Sequence, residues 1–82
     1  MATTRDDIRA WWDRGQAEGA THLIVVCDTF EHEDYPVFVH VGEDPRAVYS
    51  RYHGSNMQRV MEVYRLDQDR ERQIAERRAF NF

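Results

Sequence analysis

The 82-residue sequence predicts an α+β domain with the element order α-β-β-α-β-α. Three observations carry this reading. Thr21–Cys27 is apolar at both parities, as a strand covered on two faces must be. Thr4 before Arg5-Asp6-Asp7 and Asp44 before Pro45 are helix starts, the first with acids in its opening turn and the second with proline at the first helical position. A Val- and Tyr-rich run, Met57 to Leu66, stands between independent stop and start signals.

The first helix is expected over residues 5–18, with Ile8, Trp11, Trp12 and Gly15 at helical spacing and Gly19 as its stop. Trp11 and Trp12 point about 100° apart, so a narrow apolar stripe leaves one of them at the core edge or under a partner. In the first strand Leu23, Val25 and Cys27 share one face, and Ile24 and Val26 the other. Residues 28–36 are expected as a nine-residue loop. Residues 37–41 are expected as a second strand, with Val37, Val39 and Val41 on one face and Phe38 and His40 on the other. Val48, Tyr49 and Tyr52 form the stripe of the second helix, which Gly54 ends. The run from Met57 fits both a helix and a strand; its Val and Tyr content favours a strand, with Val60, Glu62, Tyr64 and Leu66 opposed to Met61, Val63 and Arg65. A last helix is expected from residue 68 to about 79, capped by Asp67.

Strands one and two form a hairpin. The second helix returns the chain so that strand three runs parallel to strand two and lies beside strand one. The expected sheet order is 2-1-3, a split β-α-β arrangement covered by helices, with two exposed edges that invite pairing with another chain.

Residues 1–82 make a single small domain, and a chain this short buries only about 60–65% of its unfolded surface. The thin core makes a homo-oligomer the expected state. The net charge of −4 argues against duplex nucleic acid as a partner. The N-terminus lacks a secretory pattern and no apolar run exceeds five residues, so neither export nor a membrane span is expected. One cysteine fits a reducing, cytoplasmic setting. All 11 basic residues are arginine. Coding bias explains that composition, as does selection for the planar fork that arginine offers to carboxylates and phosphates.

Charge is uneven along the chain. Residues 28–44 hold six acids and no arginine. Asp28, Glu31, His32 and Asp34, with Glu33, form a candidate metal set for a hydrolase or nuclease, since carboxylates suit hard cations and histidine suits zinc or manganese. Their spacing matches no metal motif. The competing reading is a solvated loop in which Asp28 and Asp34 cap turns. Phe30 and Tyr35 flank the acids as candidate interface anchors, together with Trp11, Phe80 and Phe82. Arg46, Tyr49, Arg51 and Tyr52 line the second helix, where they stack a base and grip a phosphate or simply form an amphipathic helix. Cys27 has opposite parity to His22 and His40, which argues against a Cys/His nucleophile pair. No phosphate loop, catalytic serine motif or cofactor fingerprint is present, so no cofactor is expected.

Two segments resemble small hypothetical proteins of bacteria and their phages: Thr21 to Val37, with Asp28-Thr29-Phe30 and Glu33-Asp34-Tyr35-Pro36, and Asn56-Met57-Gln58-Arg59-Val60-Met61-Glu62-Val63-Tyr64. That family has no assigned activity, so the resemblance transfers no functional residue. It implies a free-standing accessory protein that binds and blocks another macromolecule or sequesters an anionic, nucleotide-type ligand. The expected function is accordingly a non-catalytic binding module, with the metal-dependent hydrolase as the alternative.

Overall fold

The computed structural model describes residues 3–54, 57–76 and 79–82. Strand β1 (Ala20–Asp28) lies in the middle of a three-stranded sheet, between β2 (Glu33–His40) and β3 (Gln58–Arg65), antiparallel to both. Leu23, Ile24, Val25 and Val26 are all buried. Leu23 and Val25 enter one core, while Ile24 and Val26 enter a second core on the opposite face. The split β-α-β order and the doubly covered central strand are therefore as the sequence predicts.

Helix α1 (Arg5–Ala17) closes the first face. A reciprocal cap starts it: Thr4 Oγ1 accepts from the Asp7 N–H at 3.2 Å, and Asp7 Oδ2 accepts from the Thr4 N–H at 2.9 Å. Ile8, Trp12 and Gly15, one helical face, meet the sheet. Trp12 is 1% exposed and its ring lies 6.1 Å from that of Tyr64; Trp11 is half-buried at the edge of the same core. Helix α2 (Pro45–Tyr52), capped by Asp44, covers the second face with Val48, Tyr49 and Tyr52. Helix α3 (Arg70–Ala75) packs against α1 and β3.

Four expectations need correction. The hairpin loop is Thr29–His32 and not nine residues, because pairing continues through Cys27↔Asp34 and Asp28↔Glu33. His32 takes the left-handed conformation (φ 58°) that lets the chain turn so tightly. Val41 consequently lies beyond β2 and is 82% exposed. The last helix starts two residues later than expected and ends at Ala75, capped by Asp69 rather than Asp67. Its expected end near residue 79 passes Arg77 and Arg78, which lie outside the described residues. After them Ala79–Asn81 runs along β3, where the Val63 N–H donates to the Ala79 carbonyl and the Asn81 N–H to the Val63 carbonyl. One of the two expected free edges is thus partly covered, and the other, β2, contains Pro36, which has no N–H to offer a neighbour.

The fourth correction concerns parity. Val25 pairs with Glu62 but Val26 pairs with Val60, so Met61 is an extra residue in β3. This bulge reverses the alternation, and Val60 joins Val63 in the second core while Tyr64 and Leu66 face the first. A second bulge, at Thr21, separates His22 from His40. His40 follows Phe38 toward α1 and sits 3.6 Å from Glu18, while His22 follows Ile24 to the other face.

Gly15 marks the tightest approach of α1 to the sheet. A Cβ there would stand 2.9 Å from Leu66 Cδ1 and 2.9 Å from Phe38 Cε1. Gly15→Val is expected to lower unfolding stability by about 2 kcal/mol through overpacking, with the urea midpoint as the readout.

Candidate functional site

Two of the four exposed large apolar side chains among the described residues, Phe30 and Met57, stand at the hairpin end of the sheet; Val41 and Phe80 stand elsewhere. Asp28 shapes the loop: its Oδ1 accepts from the N–H groups of Phe30 (2.9 Å) and Glu31 (3.1 Å). This commits one carboxylate to the turn and directs Phe30 outward, 69% exposed. Thr29 then joins the loop to the start of β3. Its N–H and Oγ1 both donate to the Met57 carbonyl, at 2.8 and 2.6 Å. Met57 holds φ at 60° and is 59% exposed. Two non-glycine residues in the left-handed region, His32 and Met57, therefore flank one apolar projection. Such conformations cost on the order of 1 kcal/mol or more each and persist only where surrounding contacts impose them.

Carboxylates rim this projection. Asp28, Glu31, Glu33 and Asp34 lie in or beside the loop. Asp34 faces Cys27 across the hairpin, and burial together with this carboxylate pushes the thiol above its ordinary value. A thiol so placed is a poor nucleophile. Among the described residues no three His, Cys, Asp or Glu side chains converge on a position that holds a cation. The candidate metal residues Asp28, Glu31, His32 and Asp34 are thus neighbours in the chain without forming a chelate.

Apart from Trp11, which lies at the edge of the first core, the other candidates sit on the α2 face. Tyr35 packs into the second core and its hydroxyl accepts from Gln58 Nε2; Tyr52 is half-buried beside it. The Arg46 guanidinium lies 4.4 Å from the Phe82 ring centroid. Tyr49 stacks on His53 (4.9 Å, 16°) and meets Phe82 and Phe80 edge to face at 5.3 and 6.2 Å. The tyrosine rings that the sequence offered for base stacking are thereby occupied within the chain. Arg46 and Arg51 are exposed. Phe80 is 42% exposed.

Four arginines are paired with carboxylates. Arg9 forks onto Glu71, Arg70 reaches both oxygens of Asp13, Arg65 forks onto Asp67, and Arg14 pairs with Glu18. Among the described residues Arg5, Arg46, Arg51, Arg59 and Arg72 make no ion pair, and Arg5 donates instead to the Ile74 carbonyl. Sequence reasoning passed over Met57 and Arg59 as site residues. Met57 stands outside the strand periodicity directly after a Gly-Ser-Asn run, and this was its only signal.

No helix among the described residues is long and apolar enough to cross a membrane. No family model, curated protein or solved structure matches the chain. The fold and surface define its class: a small α+β domain with exposed large apolar side chains and no assembled chelate among the described residues.

His22 supplies a solution test of the geometry. Its Nδ1 is 2.9 Å from Thr21 Oγ1, while Nε2 is buried without a hydrogen-bond partner of good geometry. Burial pushes its pKa below the ordinary 6.5, and the backbone of Phe82 offsets this only in part. The unfolded chain therefore takes up a proton before the folded one does. Stability is expected to fall as the pH drops below 6.5. Glu71, held below its ordinary 4.5 by Arg9 and Arg70, adds a further loss below that value. His22→Gln should abolish the first loss and leave the second, in urea titrations across this range.

Proposed function

We propose that the protein is a non-catalytic binding module that docks on a basic protein surface through its hairpin end. The observation that carries this reading is the exposure of both Phe30 and Met57, on segments that Thr29 ties together through the Met57 carbonyl, beside the carboxylates of the loop. A backbone fixed by these bonds before docking lowers the ordering cost of binding, and large exposed apolar side chains on it are the kind of anchor that dominates interface energetics. The acids around them favour a cationic partner and raise the rate of encounter. Asp28, committed to its own turn, and Cys27, with its raised thiol, support binding in preference to chemistry. In this reading the module works in the cytoplasm and blocks the surface that it covers.

The test is capture of partners on the immobilised protein at about 0.15 M salt. Phe30→Asp should weaken the captured partner by about 30-fold, the scale of losing one hot-spot residue. A double charge reversal, Glu31→Arg with Glu33→Arg, should weaken it too and slow association. Arg46→Gln should leave it unchanged. An unaltered captured set with Phe30→Asp contradicts the proposal. Sedimentation of the purified chain alone identifies the case in which the partner is a second copy: concentration-dependent association that Phe30→Asp removes.

A further inference from the structure

We propose that a second site, between the C-terminal end of α2 and the segment Ala79–Phe82, takes a nucleotide-type ligand: one planar heterocycle carrying a phosphate. It is separate from the hairpin anchors and rests on different observations. A cavity of about 180 Å³ opens there, lined by His53, Arg59, Val60, Met61 and Phe80. Sites for drug-sized ligands run from about 300 Å³ upward, so this one accepts a single ring system and not a folded peptide.

The walls are aromatic and pre-set. His53 is fixed at two points. One face stacks on Tyr49, and Nδ1 accepts from the Val60 N–H at 3.3 Å. With Nδ1 accepting, the neutral ring carries its proton on Nε2, which is a donor. Its second face is turned away from Tyr49, and the residue is exposed. Phe80 stands at 87° to Tyr49, whereas His53 lies within 16° of it. His53 and Phe80 therefore form a corner, in which a planar ring stacks on one and meets the other edge to face, both favourable aromatic geometries.

The β3 bulge sets Met61 out of register with β1 between Val60 and Glu62, and Val60 and Met61 line the slot at the sheet edge. Bulges of this kind commonly re-aim side chains beside binding sites. Among the described lining residues the one with a formal charge is Arg59. A planar fork that makes no ion pair among the described residues suits a phosphate. Stacking surface, single-ring volume and one cation together select a nucleotide over an inorganic anion or an uncharged ring.

The test is a titration of the isotopically labelled protein, followed by amide chemical shifts. The ligands are a nucleoside 5′-monophosphate, its parent nucleoside, ribose 5-phosphate and a short single-stranded oligonucleotide. The monophosphate should shift the amides of His53, Arg59, Val60, Met61 and Phe80. It should bind about tenfold tighter than the nucleoside, the scale of one charge-assisted hydrogen bond. Arg59→Gln should erase that difference and leave nucleoside binding intact. Phe80→Ala, at an exposed position, should weaken both. If the oligonucleotide binds more tightly than the monophosphate and loses this advantage in salt, the ligand is a strand terminus; equal binding identifies a free nucleotide, and either supports the slot. No shifts with any ligand, equal shifts with ribose 5-phosphate, or an unchanged ratio in Arg59→Gln overturns the proposal. Phe30→Asp should not affect this titration, so the two sites stand or fall separately.

Discussion

The burial of β1 on both faces is the interaction on which the rest of the structure depends. Leu23, Ile24, Val25 and Val26 are each no more than 2% exposed, and each contributes on the order of 1.5–3 kcal/mol by leaving water. Because consecutive side chains point to opposite faces, one strand serves two cores. Trp12, Tyr64 and Ile74 close the first, and Val39, Val48 and Val63 the second. Neither core is large enough to stand alone in a chain of 82 residues. The shared strand makes them a single unit. It also concentrates the apolar residues in the centre, so that chemistry and recognition are left to the ends of the sheet.

The charge layout follows the same division. On the α1–α3 side arginine forks hold short elements that propensity would not: α3 has six residues and is tied to α1 through Arg9–Glu71 and Arg70–Asp13. Exposed pairs of this kind contribute modestly one by one, and their value here is positional. Gln73 adds a buried link, its Oε1 accepting from both the Arg65 N–H and Asn81 Nδ2, and so joins α3 to β3 and to the last residues. On the α2 side Arg46 lies over the Phe82 ring, and neither it nor Arg51 makes an ion pair among the described residues, while four acids and no arginine stand at the hairpin. The net charge of −4 is the sum of these separate surfaces.

What was legible in the sequence was whatever follows from local pattern. The double parity of Leu23–Val26 placed β1 at the centre, Thr4 and Asp44 placed two helix starts to the residue, and the adjacent tryptophans announced one buried ring and one at the margin. What was not legible depended on partners distant in the chain. Nothing local marks Met61 as a bulge, since the extra residue exists only relative to β1. Ala79–Asn81 has no strand pattern, and its pairing arises because Gln73 and Val63 offer groups to it. The left-handed turns at His32 and Met57 occur without glycine, so the usual composition signal is missing. Phe30 and Phe80 were legible as candidate interface aromatics; the groups that set their positions, Asp28 for one and Tyr49 for the other, were not.

Native-state amide hydrogen exchange tests the central claim most directly. If one strand unites both cores, the amides of Leu23, Ile24, Val25 and Val26 exchange most slowly in the chain. They then share a single opening free energy equal to that of global unfolding, at both parities. A systematic difference between Leu23 and Val25 on one side and Ile24 and Val26 on the other, or faster exchange in β1 than in α1, would contradict the account.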